Sequence, residues 1–196
     1  NLGVVVDVNT SPDRPGVEPG QRAVDLAKII ATSPNLCFKG LMTLQGGTQS
    51  DDMYEMEIES RRSLQQVLDT RERIENSGME VEVLSAGGTH DYELVGKMSG
   101  VTEVPAGAYA LMDCKHLRYR EELSAAAKVL TTVTSLPEPG MVILDAGGKS
   151  VGSDGEGSPT VEGIPGATAV GLSAEHVNLS VDTGKNADQI LDIGQK

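Results

Sequence analysis

Apolar positions follow one another along this chain in two rhythms, and the change from one to the other divides it. Leu2 to Val8 is nearly continuous, Leu-Gly-Val-Val-Val-Asp-Val, interrupted only by Asp7. Such a run suits a strand covered on both faces, as in a parallel sheet. A Pro- and Gly-rich loop spans Asn9 to Gly20, and Pro19 takes a first-helical position. Ala23, Leu26, Ala27 and Ile30 then fall at i, i+3, i+4 and i+7, which predicts a helix that Ser33-Pro34 stops. Leu36 to Leu44 is a second strand, ending in Gln45-Gly46-Gly47-Thr48-Gln49. Asp51 and Asp52 precede a long helix to about Asn76, striped by Leu64, Val67, Leu68 and Ile74 and stopped by Asn76-Ser77-Gly78. Val81 to Leu84 is a third strand, Thr89 to Met98 a short helix, and Val101 to Val104 a fourth strand before Pro105-Ala106-Gly107-Ala108-Tyr109.

Strand and helix alternating over short connections imply parallel strands with right-handed crossovers. The fold class is therefore α/β: a TIM-type (β/α) barrel or an open sheet. Both bind ligands at the carboxyl ends of strands. The small-residue corners 45–49, 85–89 and 105–109 all fall at such ends. In the middle one, backbone N–H groups can close around an anion at the start of the next helix. A plain structural turn accounts for the same residues.

The rhythm changes near residue 124. Ala125 to Leu136 and Met141 to Ala146 read as strands joined by a Pro-Glu-Pro-Gly turn, with no helix between them. Gly147 to Gly166 is loop-like, and Ala167 to Leu172 and Val177 to Val181 are further strands. Residues 1–123 are thus expected to form part of an α/β barrel, and 124–196 part of a β-rich domain.

Composition narrows the chemistry. With 3% aromatic residues and no Trp, the core must be built from Val, Leu, Ile, Met and Ala. A formal charge of −13 argues against nucleic acid as a partner. No apolar run approaches the roughly 20 residues of a membrane span. Cys37 and Cys114 stand far apart with no CxxC unit, pointing to a reducing compartment, hence the cytoplasm. The first residues read as a strand already under way, with neither an initiator Met nor the features of a signal peptide. The expectation is a chain that begins inside a larger protein. His90 and His116 match no metal motif.

Five short motifs occur in a telling order. Val-Asp-Val is followed by Arg14-Pro15-Gly16-Val17. Leu-Ser-Ala-Gly-Gly-Thr comes next, then Thr-Glu-Val-Pro-Ala-Gly-Ala-Tyr with Met112-Asp113. Leu-Asp-Ala-Gly-Gly-Lys and Leu-Ser-Ala-Glu-His176 complete the set. In this order the chain resembles the D-threonine aldolase and D-serine dehydratase family, within the alanine-racemase-like, fold-type III pyridoxal-phosphate enzymes. The resemblance implies a β/α barrel with the cofactor at its mouth, followed by a β domain. It implies that Ser85, Gly87, Gly88 and Thr89 bind the phosphate of pyridoxal 5'-phosphate, with the backbone of Gly107 and Ala108 and with Tyr109. Arg14 would lie near the pyridine ring, and His176 close to the active site. Apart from the family, Tyr109 reads as a half-buried barrel tyrosine, Arg14 as a solvated loop arginine, and His176 as a structural histidine. Asp145 and Lys149 read as a turn after a strand.

The chain departs from the family in four places. The loop before Arg14 is longer than the family's, and Gln45 stands where relatives carry His. The family's Schiff-base lysine lies on a barrel strand before the segment matching Asn1. Its divalent metal is held by a His-x-Asp or His-x-Cys motif that would follow Lys196. No metal ligand is assigned within residues 1–196. The implied activity is a lyase acting on small β-hydroxy D-amino acids, in a homodimer. An amino-acid racemase of the same fold would need a Tyr from the β module, and none follows Tyr119. A non-catalytic cofactor-binding protein and a sugar-phosphate barrel complete the alternatives.

Overall fold

The computed structural model describes residues 1–11, 14–44, 52–118, 120–152, 158–182 and 191–196. The chain divides into two compact units: Asn1–Ala110 with Arg118–Glu122, and Leu111–Leu117 with Leu123–Lys196.

The first unit is a strand–helix alternation. Strand β1 (Leu2–Asp7), helix α1 (Gln21–Thr32), strand β2 (Leu36–Thr43), helix α2 (Met53–Asn76), strand β3 (Val83–Ala86) and helix α3 (Tyr92–Val95) follow in order. The strands form a parallel sheet, β1-β2-β3. Helix α1 starts two residues after Pro19, with Gly20 as its N-cap, and buries Ala23, Val24, Ala27 and Ile30. Helix α2 is capped by Asp52, whose carboxylate accepts the Tyr54 N–H at 2.8 Å. Its buried stripe is wider than the apolar pattern and takes in Ser60, Ser63 and Thr70. Small hydroxyl residues let the backbone approach the sheet and carry local bonds. Thr70 Oγ1 donates to the Gln66 carbonyl at 2.7 Å and accepts the Gly20 N–H at 2.8 Å, tying the start of α1 to α2. The core gathers Val6, Val8, Leu41, Leu84, Leu64, Val67, Ile74 and Val95 around these elements.

Two expectations shift here. The third strand begins at Val83 and runs through Ser85 and Ala86, so the corner opens at Gly87. The fourth strand, 101–104, reduces to one parallel bridge, Ser85 to Glu103. Thr102 accounts for this: its hydroxyl accepts the Leu84 N–H at 2.8 Å, a side chain standing where a ladder carbonyl would. Between β1 and β2 the register slips, Val4 facing Phe38 and Val5 facing Gly40, so Lys39 is the extra residue of a bulge. Gly40 sits at φ 150°, and a Cβ there would come within 1.9 Å of the Val83 carbonyl oxygen. Only glycine lets β2 pass β3 at this spacing.

The second unit is an antiparallel sheet of β4 (Val133–Ser135), β5 (Met141–Leu144), β6 (Ala167–Leu172) and β7 (Val177–Val181), in the order β4-β5-β7-β6. Val133, Val142, Leu144, Ala169, Val177 and Leu179 form its core. The expected strand Ala125–Leu136 shrinks to three residues, and 126–130 are exposed. Strand propensity alone does not build a strand, and 126–130 have no ladder partner among the described residues.

Candidate functional site

Parallel pairing puts the ends of β1, β2 and β3 on one edge of the sheet, and the Ser85–Glu103 bridge brings the next segment to that same edge. Three segments leave that edge: 9–11 and 14–20 after β1, 87–91 after β3, and 104–110, the last two joined by the Tyr109 N–H bond to Thr89. The corner 45–49, with Gln45, lies outside the described residues.

The corner after β3 is shaped from within. Gly87 has φ 82°, and a Cβ there would sit 2.9 Å from Asp91 Oδ1. That oxygen accepts the Gly88 N–H at 2.8 Å, and the Asp91 side chain is buried. His90 Nε2 lies 3.5 Å from the other Asp91 oxygen. The Gly88 N–H therefore holds the turn, and the helix that follows, α3, has only four residues. A grip on an anion through the start of a helix is not what this geometry provides.

Ser85 and Thr89 are both buried. Thr89 Oγ1 accepts the Tyr109 N–H at 3.0 Å, stapling the 104–110 loop to the corner. With that lone pair taken, the Thr89 hydroxyl proton remains to be donated. Among the described residues no acceptor takes it, nor do the N–H groups of Gly107 and Ala108 meet an acceptor. A Cβ at Gly107 would meet no atom within 4 Å, and its backbone is not left-handed, so the fold itself does not require glycine there. Two hydroxyls, two adjacent N–H groups and a glycine the fold does not require suit a phosphate. Tyr109 lies in a 3-10 turn, Ala108–Ala110, and is 54% exposed.

Arg14 sits in the β1 loop. Its carbonyl accepts the Asn9 side-chain amide at 2.7 Å, and Val17 makes a parallel bridge to Val8. That places Arg14 at the same edge as the corner. Its side chain forms no ion pair among the described residues. Beside it, Thr10 Oγ1 meets Thr43 Oγ1 at 2.9 Å and Ser63 Oγ at 2.5 Å, linking the loop to β2 and α2.

His176 belongs to the second unit, exposed in the β6–β7 turn. Its carbonyl accepts from the Ser173 N–H at 2.8 Å, and its N–H donates to Ser173 Oγ at 3.1 Å. The two late motifs meet: Gly148 and Lys149 N–H groups donate to the Ser173 and Ala174 carbonyls, and Lys149 Nζ reaches Glu175 at 2.6 Å. Asp145 accepts the Thr132 N–H and the Thr131 hydroxyl, each at 2.7 Å; these bonds hold its carboxyl below its ordinary pKa. It ties β5 to the entry of β4.

Two features escaped the sequence. In the second unit, Asp113 accepts the His116 N–H at 2.8 Å and the ring Nδ1 at 2.8 Å. Burial pushes the Asp113 carboxyl up, but the His116 backbone and ring bonds outweigh it and leave the group below its ordinary value. In the first unit Arg120 is buried and bonds to the backbone of the Thr89–His90 corner. Nothing in Tyr-Arg-Glu-Glu separates that arginine from a solvated charge run. Among the described residues, no cluster of three or more His, Cys, Asp or Glu side chains could hold a metal ion. Nor is any described helix long and apolar enough to cross a membrane.

Comparison with known proteins places this arrangement. Residues 1–114 match the family model "Alanine racemase, N-terminal domain", and residues 126–196 match "Putative serine dehydratase domain". A 3-hydroxy-D-aspartate aldolase of Paracoccus denitrificans (strain Pd 1222) is 31% identical over 89% of this chain and 48% of its own length. A D-threonine aldolase of Arthrobacter sp is 30% identical over 96% of this chain and 51% of its own. The crystal structure of D-threonine aldolase from Filomicrobium marinum superposes with a TM-score of 0.88 at 29% identity, covering 98% of this chain and 53% of that one. The chain thus spans about half the length of the curated relatives it matches. The α/β part is a portion of a (β/α) barrel of the alanine-racemase type, followed by a β-rich part, as expected. The chain belongs to the alanine racemase N-terminal domain family, and its residues 126–196 match the putative serine dehydratase domain.

Proposed function

We propose that this chain is the cofactor-cradling part of a pyridoxal-phosphate-dependent lyase acting on β-hydroxy D-amino acids, of the D-threonine aldolase or D-serine dehydratase type. The observation that carries the reading is the junction of Thr89 with Tyr109 at the carboxyl edge of the parallel sheet, in a chain whose relatives are aldolases of that substrate class. Ser85 and Thr89 would donate hydroxyl protons to the cofactor phosphate, and Gly107 and Ala108 their N–H groups. Gly87 and Gly88 hold the turn that presents Thr89. Tyr109 supplies the N–H that orients the Thr89 hydroxyl. Arg14, on the neighbouring loop of the same edge, would stand toward the ring. Bound pyridoxal phosphate supplies an electron sink for negative charge at the substrate Cα.

In this reading His176 keeps the role that the resemblance to the family gives it. The Schiff-base lysine and a divalent metal, which would polarise the β-hydroxyl, come from outside residues 1–196. A homodimer and a cytoplasmic location complete the proposal; the thiols of Cys37 and Cys114 are free, in keeping with a reducing compartment.

The test is incubation of the full-length protein with D-threonine, D-serine and D-3-hydroxyaspartate, with pyridoxal phosphate and a divalent metal. Aldehyde with glycine marks an aldolase, and keto acid with ammonia a dehydratase. If no β-hydroxy D-amino acid yields either product, the proposal fails.

A further inference from the structure

The structure assigns Arg120 the role of a positioning residue for the phosphate corner, and this inference rests on the cofactor reading above. Arg120 is 6% exposed. Its Nε donates to the Thr89 carbonyl at 3.2 Å, and a terminal guanidinium nitrogen donates to the His90 carbonyl. The guanidinium lies 4.8 Å from the Tyr92 ring centroid. Glu93 and Glu122 stand 3.7 and 3.6 Å from Arg120 Nη1, at the exposed margin. Tyr92 donates its hydroxyl to Glu122 at 3.1 Å and closes the ring of contacts.

A guanidinium is costly to bury unless its donors and charge are matched. Here two consecutive backbone carbonyls take two N–H groups of one rigid, planar guanidinium, which holds them in a fixed geometry that a freely rotating ammonium holds less well. Those carbonyls flank the peptide just after the Thr89 side chain. Thr89 is therefore held at two points: its hydroxyl by the Tyr109 N–H, its carbonyl by Arg120. With both fixed, the Thr89 side chain and the peptide that follows it keep one orientation, and the hydroxyl proton is left to a partner other than Tyr109. Without Arg120 the 89–90 peptide can turn, and the hydroxyl and the stapled 107–109 backbone lose their common aim. Arg120 reaches the cofactor only through Thr89. Its removal should weaken recognition of the phosphate and leave the rest of the cofactor's contacts in place.

The experiment compares pyridoxal phosphate with pyridoxal, which lacks the phosphate, by equilibrium dialysis against the full-length protein. Wild type, Arg120→Met and Arg120→Lys are measured, with circular dichroism of each without ligand. Arg120→Met should weaken pyridoxal phosphate about 10- to 100-fold, by analogy with the loss when a hydrogen-bonded partner behind a metal ligand is removed. Pyridoxal affinity should change less than about twofold, a difference too small to signal a lost contact. Arg120→Lys should recover part of the loss. Should Arg120→Met fail to fold, Arg120→Lys decides by the same ratio. Equal losses for both ligands would mark a purely structural arginine and overturn the proposal, as would no loss for either. If the wild type binds neither ligand, the cofactor reading falls and this inference with it.

Discussion

Substituting Gly107 by Ala separates what the fold requires from what the cofactor requires. An added Cβ at 107 meets no atom within 4 Å, and the backbone there is not left-handed. The substitution should therefore stabilise the ligand-free protein by about 0.4–1 kcal/mol, because the unfolded chain loses freedom. For a chain of this size that is a rise in Tm of roughly 1–4 °C. A methyl group between the main chain and a phosphate would push the anion off the N–H groups of Gly107 and Ala108. Losing charge-assisted bonds there costs about 3 kcal/mol, roughly 100-fold in affinity. At a cofactor concentration of 100 times the wild-type Kd, binding adds about 2.7 kcal/mol to the wild type. A variant with ~100-fold weaker binding gains only ~0.4 kcal/mol under the same conditions. The order of the two Tm values should then invert: the variant melts higher without cofactor and lower with it. Thermal scans of the full-length protein, with and without pyridoxal phosphate, read this directly. Equal cofactor-induced shifts in both proteins would refute an approach of the phosphate to this backbone.

Other substitutions test the frame around the site. Gly87→Ala places a Cβ 2.9 Å from Asp91 Oδ1 at φ 82°; it should destabilise by about 1–3 kcal/mol, with or without cofactor, in contrast to Gly107→Ala. Gly40→Ala should cost about 2–4 kcal/mol in a urea titration, through its unfavourable φ and the forced separation of β2 from β3; a neutral result would mean that β2 and β3 do not need glycine to pass at this spacing. Asp145 is held below its ordinary pKa by Thr132 and Thr131, so its stabilisation is complete above that ordinary value and is lost as pH falls through the depressed one. Asp145→Asn should be less stable than wild type at pH 7, with the gap closing below about pH 4; a gap independent of pH would remove the carboxylate from the account.

Local chemistry was enough to read most of the fold. Helix α1 followed from the spacing of Ala23, Ala27 and Ile30, and α2 from its Asp52 cap and its Asn-Ser-Gly stop. The strands Leu36–Thr43, Ala167–Leu172 and Val177–Val181 lay within a residue of where the apolar runs put them. Where a segment needed a distant partner, the reading slipped. Residues 101–104 have strand composition, yet the Thr102 hydroxyl bonds to Leu84 and leaves a single bridge.

What the amino-acid order determined by itself was the alternation of strand and helix, the parallel sheet it implies, and the edge where small residues collect. Those depend on neighbours three or four positions apart, whose geometry the backbone dictates. Tertiary structure decided which polar groups at that edge are already satisfied. The Gly88 N–H is bonded to Asp91, the Thr89 hydroxyl is oriented by Tyr109 twenty positions away, and Arg120 closes on the Thr89 and His90 carbonyls from thirty. A hydrogen-bond donor looks the same in a sequence whether or not it has a partner. The distinction appears only when the chain has folded back and brought the acceptor to it.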